Sequence, residues 1–369
     1  MQVGWYVHHS GAGHLTRATV VGSVLAGRGH EVTLIGSRLG DAGPQFGRVE
    51  LPMDDEGVDP HRDDVAAGGR LHWVPLRHTG LRARGAAIAA WVERVRPDVL
   101  VVDVSVEVTM LARLLGVPVV VVAQPGERDD EPHRLAYDVA AAVLAPWPSG
   151  WRGRLAPHLE ETRAEVVEVG GISRWAAGVS RLVPRTSTGV GEGSSTGVGE
   201  GSSTGVGEGS STGVGEGSST GVGEGAVLSG RGGFAVEGLA DRITGSVPQL
   251  DWQVLDGRTW VDDPASLIAS AEVVVLHAGQ NAVADVAALD RPALVLPQPR
   301  PFGEQEQMAA ALAAAGMARV VPSEKQADPG TDWAAEIEGA RRARTAWARW
   351  GTDVAAERAA DVVEQVARG

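Results

Sequence analysis

Short apolar runs alternate with amphipathic segments along the first 175 residues of the chain. Strands are predicted at residues 3–8, 31–35, 98–103, 118–123 and 166–169, and helices at residues 15–26, 81–95 and 106–115, with residues 137–145 continuing the pattern. Runs that are apolar on both faces are typical of parallel strands covered by helices. The pattern predicts a doubly wound parallel α/β sheet. Residues 40–75, rich in Gly, Pro, Asp and Arg, carry no assignable structure.

The middle of the chain is a repeat. From Ser187 to Gly225 the unit Ser-Thr-Gly-Val-Gly-Glu-Gly-Ser occurs in four full copies and a truncated fifth. One Val per unit cannot build an apolar face, and this Gly/Ser/Thr composition is typical of a flexible linker. A metal-binding acidic array is the alternative, but one Glu per unit does not supply several converging oxygens. The prediction is a linker over residues 176–225, whose deletion from residue 187 onwards leaves the folded parts intact.

The alternation restarts after residue 225. Strands are predicted at residues 226–229, 252–255, 272–276 and 293–297, and helices at residues 234–243, 264–269, 281–288, 305–315 and 333–367. The chain therefore divides into two Rossmann-like domains, residues 1–175 and 226–369. In such sheets ligands bind outside the carboxyl ends of the strands. We expect a cleft where these ends of the two sheets face each other.

Composition narrows the classes of partner. A net charge of −14 and a pI near 5.2 exclude nucleic acid as the main partner and disfavour a broad basic membrane face. The chain has no Cys, which excludes disulfides, thiolate catalysis and Cys-ligated metal. No apolar run reaches the ~18 residues of a membrane span, and the N-terminus has no basic region of a signal peptide. We expect a protein without a transmembrane segment, located in the cytoplasm.

The clearest candidate chemistry follows the predicted strand at residues 272–276. A glycine turn opens a helix there, and the amides of Gly279, Gln280 and Asn281 are suited to a diphosphate. Asp285, in the second turn, can accept hydrogen bonds from ribose hydroxyls; the alternative is a surface carboxylate that complements the helix dipole. His277 either contacts a phosphate or only ends the strand.

Two further clusters complete this candidate site. Glu304 and Gln305 follow a Pro-rich loop and open a helix, where they can grip a sugar or simply complement the helix dipole. Gly230, Arg231 and Gly232 form a second glycine loop after a strand, in which Arg231 can pair bidentately with a phosphate. The layout indicates a nucleotide-sugar site.

The N-terminal domain offers an acid–base pair. A loop containing Gly11 and Gly13 ends at His14, which begins a helix and is a candidate general base at an acceptor hydroxyl. Asp103, at the carboxyl end of a buried strand, is its candidate partner. The alternative is that both side chains cap helices. His8 and His9, at the end of the first strand, are expected to be packed or partly solvated, and the alternative is that they line the cleft.

The second domain carries two motifs, Gly279-Gln-Asn281-Ala-Val-Ala-Asp285 and Pro299-Arg-Pro301-Phe-Gly-Glu304-Gln305. Together they resemble the signature of GT-B glycosyltransferases of the family 28 branch, which includes the peptidoglycan N-acetylglucosaminyltransferase. The loop at residues 10–14 is similar to that family's first glycine loop, and Trp260 and Val261 precede a loop that resembles its base pocket. There are two departures. Asp285 stands where the family usually has Glu, and the repeat occupies the place of a short hinge.

The resemblance implies a function and a fold. The fold would be GT-B: two Rossmann-like doubly wound α/β domains with an interdomain cleft, the C-terminal helix crossing back to the first domain. Glu304 and Gln305 would bind hydroxyls of the donor sugar. The enzyme would move a sugar from a nucleotide-sugar donor, UDP-linked, to a small-molecule or lipid-linked acceptor held by the N-terminal domain, without a metal or a cofactor. A nucleotide-sugar 2-epimerase and a catalytically idle nucleotide-sugar-binding scaffold are the alternatives.

Overall fold

The structure, a computed structural model, describes residues 1–9, 13–176, 223–229, 233–256, 261 and 264–369. Within these residues the chain forms two parallel β-sheets, which confirms the predicted doubly wound α/β class. The strands are β1 (Gln2–Val7), β2 (Glu31–Gly36), β3 (Gly47–Glu50), β4 (Val99–Asp103), β5 (Val119–Val122), β6 (Ala142–Ala145), β7 (Glu165–Glu168), β8 (Gly223–Leu228), β9 (Leu250–Leu255), β10 (Val273–Leu276), β11 (Ala293–Val295) and β12 (Arg319–Val320).

Helices cover both sheets. They are α1 (Gly13–Gly27), α2 (Thr79–Val95), α3 (Val106–Leu114), α4 (Glu131–Val139), α5 (Arg152–Leu155), α6 (Leu239–Ser246), α7 (Pro264–Ser270), α8 (Gln280–Ala288), α9 (Glu304–Ala314), α10 (Ser323–Ala327), α11 (Trp333–Arg342) and α12 (Thr352–Arg368). In the part of the chain that the structure describes, no helix combines the length and the apolar character needed to cross a membrane.

The first sheet has the strand order β3-β2-β1-β4-β5-β6-β7. Its winding reverses between β1 and β4, where Val7 pairs with Asp103 at the carboxyl ends of both strands. Ligands of doubly wound sheets bind at such a reversal. The final helix, α12, packs with α1 on one face of this sheet and buries its alanine and valine stripe against Val101 and Val120. The C-terminal helix therefore crosses back to the first domain, as expected.

The second sheet has the order β12-β11-β10-β8-β9, so its winding reverses between β8 and β10. The strand β8 begins at Gly223, three residues inside the range predicted as linker, and pairs with β9 from Leu250 onwards. A glycine suits this strand because a Cβ on Gly225 would lie 2.6 Å from the Trp252 ring. The rest of the predicted linker, residues 177–222, lies outside the described residues.

Three local predictions differ from the structure. Residues 40–75 contain the strand β3, whose exposed Gly-Arg-Val-Glu sequence at the sheet edge carries no apolar pattern. The helix predicted from residue 234 begins at Leu239, because Gly238 has a left-handed φ of 67° just before it. The helix predicted over residues 333–367 is two helices, interrupted after Arg342 and restarted after Gly351, which also has a φ of 67°. A left-handed glycine marks a helix boundary that apolar spacing does not show.

Candidate active site at the interdomain cleft

His14 and Asp103 meet at the winding reversal of the first sheet. The ring nitrogen Nδ1 of His14 lies 2.9 Å from Asp103 Oδ1, and Arg17 Nε lies 3.1 Å from the other carboxylate oxygen. Burial alone would raise the pKa of Asp103, but Arg17 and His14 together hold that pKa below its ordinary value. Because an ionised carboxylate only accepts hydrogen bonds, the proton of neutral His14 sits on Nδ1 and the lone pair on Nε2. The arrangement is an oriented imidazole suited to accept a proton.

The N-terminus of α8, from the second domain, lies directly against this pair. Asn281 Nδ2 donates to the carbonyl of Gly13 at 3.0 Å, and Arg17 Nη1 donates to Gln280 Oε1 at 3.1 Å. Arg17 therefore binds both Asp103 and the second domain. Its position one turn after His14 in α1 is the only signal of this role in the sequence, and the residue was not among the predicted ones. The cleft thus brings the predicted phosphate loop next to the predicted base.

One of the three predicted phosphate amides already has a partner. The N–H of Gly279 donates to His277 Nδ1 at 3.0 Å, so the remaining proton of neutral His277 is on Nε2. Burial, with Arg300 nearby, lowers the pKa of His277 to about 4, which keeps the ring neutral near pH 7. The main-chain N–H groups of Gln280 and Asn281 belong to the first turn of α8, where no intrahelical carbonyl is available. Their role in binding a diphosphate stays a prediction.

Asp285 faces the end of the first domain. It is only 7% exposed, accepts a hydrogen bond of 2.7 Å from Ser173 Oγ, and lies 3.8 Å from Arg174 Nε. Burial raises the pKa of Asp285 to about 6, and Arg174 and Ser173 oppose the rise. One oxygen is thus already committed to an interdomain contact. None of these contacts tests the predicted hydrogen bonds between Asp285 and a ribose.

Glu304 anchors the second domain on the first. Arg128, almost fully buried, donates from Nη2 to Glu304 Oε2 at 3.2 Å and stacks on the ring of Phe302, 4.5 Å from its centroid. The N–H of Glu127 donates to the carbonyl of Phe302 at 2.8 Å. Phe302 holds a left-handed φ of 63°, which only a well-packed turn tolerates in a large residue. Sequence reasoning missed Arg128, which belongs to no local pattern, and gave no role to Phe302, which lies within the motif at residues 299–305.

Gln305 is part of the second domain's interior. Its Oε1 accepts the N–H of Gln298 at 3.0 Å, and Gln298 in turn bonds the side chain of Gln326 and the N–H of Ala235. All three glutamines are buried. The network fastens the loop after β11 to the segment that follows residue 233. A contact of Gln305 with donor-sugar hydroxyls stays a prediction.

A cavity of about 600 Å³ opens beside the His14–Asp103 pair. It lies mainly in the first domain, and Phe302 closes one side from the second. His8 and His9 are half-buried and both line it, which is the alternative considered for them, and the His8 ring lies edge-on to His14 with 5.7 Å between centroids. Burial, with His14 and His9 close by, lowers the pKa of His8 to about 3. Several lining residues belong to the unassigned segment 40–75, so this cavity was not predictable from the sequence pattern.

Two histidine–aspartate groups on the cavity have the spacing of metal ligands: His72, Asp130 and His133, and His9, Asp54 and Asp55. In the first group Arg128 donates to His133 Nε2 at 3.3 Å, which leaves the proton on Nδ1 to be donated to Asp130 at 2.8 Å. Both ring nitrogens are therefore used in hydrogen bonds. In the second group Asp54 Oδ2 lies 3.1 Å from Arg84 Nε. The first group therefore fits a polar network better than a metal centre, and in the second group one oxygen of Asp54 is engaged by Arg84.

The structure describes only some of the other predicted site residues. Val261 is described and half-buried, whereas Gly11, Gly230, Arg231, Gly232 and Trp260 lie outside the described residues. Gly13 is described as the first residue of α1.

Residues 244–364 match the glycosyltransferase family 28 C-terminal domain. This range contains the α8 N-terminus, Asp285, Glu304 and Gln305, and it excludes His14 and Asp103. A curated relative from Rhizobium etli, the UDP-N-acetylglucosamine–N-acetylmuramyl-(pentapeptide) pyrophosphoryl-undecaprenol N-acetylglucosamine transferase, is 32% identical over 83 residues. The match spans 22% of this chain and 22% of that relative.

Solved structures are similar over the whole length. MurG of Acinetobacter baumannii aligns over 99% of both chains with a TM-score of 0.59 and 15% identity. The spinosyn rhamnosyltransferase SpnG, complexed with thymidine diphosphate, aligns over 100% of this chain and 98% of its own with a TM-score of 0.57 and 18% identity. These likenesses confirm the two-domain architecture implied by the sequence motifs. The chain has the GT-B fold, and the match to the glycosyltransferase family 28 C-terminal domain covers most of its second domain.

Proposed function

We propose that the protein is a glycosyltransferase that moves a sugar from a nucleotide-sugar donor to an acceptor bound in the first domain. The observation that carries the proposal is the meeting of the oriented His14–Asp103 pair with the N-terminus of α8 across the cleft. One side offers a proton acceptor and the other offers amides and a helix dipole for a departing diphosphate. Transfer of a glycosyl group needs the proton acceptor and the site for the departing diphosphate close to each other.

His14 is the proposed general base. Its Nδ1 is held by Asp103, so Nε2 is the atom that takes the proton of the acceptor hydroxyl. Asp103 and Arg17 keep the ring oriented, and Asp103 stabilises the imidazolium that forms. The sugar bond to the diphosphate breaks as the acceptor oxygen attacks, and the negative charge that develops on the diphosphate is met by the first-turn amides of α8. This stabilisation requires no metal ion, and no further cofactor is proposed.

The donor is proposed to be a UDP-sugar. The Rhizobium etli relative is named for UDP-N-acetylglucosamine, and a similar structure holds thymidine diphosphate, so both relatives point to a pyrimidine nucleoside diphosphate. Glu304 and Gln305 are the proposed ligands of the sugar, and Asp285 the proposed ligand of the ribose. Of these, Glu304 and Asp285 contact the first domain directly, through Arg128 and Ser173.

The test begins with nucleotide binding. UDP, thymidine diphosphate, ADP and UDP-sugars are added to the protein in a thermal-shift assay, and a ligand at 100 times its Kd should stabilise the fold by ~2.7 kcal/mol. We expect a shift with UDP. If none of the nucleotides shifts a protein that melts cooperatively, the proposal fails.

Turnover separates transfer from its two alternatives. Transfer releases UDP only when an acceptor is present, a 2-epimerase changes the sugar without an acceptor, and a scaffold binds UDP without turnover. The variant His14→Gln should keep the nucleotide shift and lose turnover. The matched control is His30→Gln. His30 pairs with Glu364 just before the amino end of β2, so this variant should keep both the nucleotide shift and turnover.

A further inference from the structure

The cavity beside His14 contains two polar atoms without hydrogen-bond partners in the described structure. Asp54 Oδ1 and His9 Nδ1 lie 4.0 Å apart, and both atoms are buried. Asp54 is only 7% exposed and lines the cavity, as does His9. A buried polar atom left unpaired is costly, and native structures rarely keep one without a purpose. These two atoms are a ready position for a polar group of a ligand.

The aspartate is held rigidly in this position. Its other oxygen lies 3.1 Å from Arg84 Nε, and the remaining nitrogens of Arg84 donate to Ser37 Oγ, the carbonyl of Pro52 and Tyr6 Oη at 2.6 to 2.8 Å. Four of the five N–H groups of Arg84 are thus engaged by protein groups. Asp54 Oδ1 cannot rotate toward another partner without breaking this buried ion pair.

The charges of the cavity wall favour a ligand that is not an anion. Three carboxylates line it, those of Asp54, Asp55 and Glu107, against two guanidiniums, Arg84 and Arg128. Arg128 is committed to Glu304, His133 and the carbonyl of Pro125. Among the described lining residues no guanidinium is left for a phosphate or a carboxylate.

Two of the four histidines of the wall add no charge to this balance. Burial lowers the pKa of His8 to about 3 and that of His133 to about 4, so both rings are neutral near pH 7. The remaining wall is apolar and includes Trp73, Leu81, Ile88, Val106 and Leu111. A volume of about 600 Å³ lies within the usual range of small-molecule sites.

We propose that this cavity binds a neutral or cationic small molecule with an apolar body, whose hydroxyl or ammonium group donates to Asp54 Oδ1. A hydroxyl can also accept from His9, and an ammonium can donate to both atoms. An anionic headgroup would meet a net negative wall in a site of low dielectric. The inference rests on the proposed function in one respect: this ligand is the sugar acceptor.

Three probes of equal shape test the charge preference: 2-naphthylmethylamine, 2-naphthylmethanol and 2-naphthoate, titrated calorimetrically at pH 7.5. The expected order of affinity is amine, then alcohol, then carboxylate, with the carboxylate at least about 10-fold weaker than the amine. A hydrogen bond to a charged group is among the stronger ones in proteins. Equal or tighter binding of the carboxylate overturns the proposal, and so does absence of binding for all three probes at millimolar concentration.

Substitutions in the cavity wall test which residue causes the charge preference. Asp54→Asn leaves Arg84 without its carboxylate, so the order should reverse in favour of the carboxylate probe. Asp55→Asn changes a half-exposed side chain and keeps the ion pair between Asp54 and Arg84, so it should reduce the preference for the amine without reversing it. Asp41→Asn, an exposed aspartate paired with Arg48, is the control and should change nothing. An unchanged order in both cavity variants overturns the proposal.

Three further outcomes separate the possibilities. Probe binding that requires added Zn²⁺ and disappears with EDTA would mean that His9, Asp54 and Asp55 hold a metal, which overturns the proposal. UDP binding without the expected probe order leaves the glycosyltransferase proposal standing and removes this one. The expected probe order in a protein that binds no nucleotide keeps the cavity assignment and removes transfer.

Discussion

Replacing Asp103 with asparagine is the most informative single change at the cleft. The carboxylate is fully buried and serves both His14, at 2.9 Å, and Arg17, at 3.1 Å. An asparagine has the same shape but only one acceptor atom, and its amide group must face one of these two donors. Asp103→Asn therefore leaves Arg17 as a buried cation without a full partner and removes the group that fixes the proton on His14 Nδ1.

The size of both effects follows from this geometry. Breaking a buried ion pair costs about 3–5 kcal/mol, and the surviving acceptor of asparagine places the loss near the lower end. In a domain of this size each kcal/mol corresponds to roughly 2–4 °C, so the Tm should fall by roughly 6–12 °C. A general base contributes about 10²–10⁴ in rate, so kcat should fall within that range. Donor affinity should change little, because Asp103 makes no predicted contact with the nucleotide.

The assay measures acceptor-dependent UDP release at a temperature where the variant is folded, with UDP affinity determined separately by calorimetry. His14→Gln and the double variant provide the comparison. If the two residues act as one unit, the double variant loses no more activity than the more damaged single variant. Turnover within about threefold of the parent protein in a folded Asp103→Asn variant would refute the pairing as part of the chemistry.

Three other changes test the interdomain contacts and the boundary of the second domain. Burial raises the pKa of Asp285 to about 6 from 3.8, so the fold becomes less stable as pH rises through that window. The gain in unfolding free energy from Asp285→Asn should therefore be about 2 kcal/mol larger at pH 7 than at pH 4 in urea unfolding, and an equal gain at both pH values would contradict the burial argument. Gly126→Ala adds a Cβ that collides with the carbonyl of Phe302 at a φ of 103°, whereas Gly150→Ala has the same backbone strain at 79° but open space. Both variants should lower the Tm, and only Gly126→Ala should weaken UDP-sugar binding. Equal UDP-sugar affinity in the two variants would mean that the contact with Phe302 is not needed for the two domains to close on the donor. Deleting residues 187–222 should keep the melting transition, while extending the deletion through 225 should lower the Tm, because Gly223 begins β8; equal Tm values for the two deletions would show that these strand residues contribute nothing.

Much of the fold was readable from local pattern. The buried strands β1, β4, β5 and β10 are continuous apolar runs, and such runs are driven into a sheet interior wherever the chain carries them. The errors fall where the pattern is silent. The edge strand β3 has three exposed residues among its four, and the C-terminal helix pair is separated by a turn that ends at a left-handed glycine.

The candidate site was readable to the extent that it depends on strand ends. His14 and Asp103 follow β1 and end β4, and strands that are parallel neighbours bring their carboxyl ends together. The α8 N-terminus follows β10 for the same reason. Partners across the cleft were not readable. Arg128 and Glu304 are 176 positions apart, and Ser173 and Asp285 are 112 positions apart, so no local spacing encodes either contact.

By itself, the sequence determined the alternation of strands and helices, the glycine turn before α8, and the side chains at the ends of the buried strands. These features depend on interactions between residues close in the chain or on burial of a whole run. Only the tertiary structure decided that His277 takes the amide of Gly279, that Asp285 binds Ser173, and that residues from 40–75 line a cavity beside His14. Those outcomes depend on how two domains close on each other. Closure is set by many weak contacts between distant residues, and none of them leaves a periodic trace in the sequence.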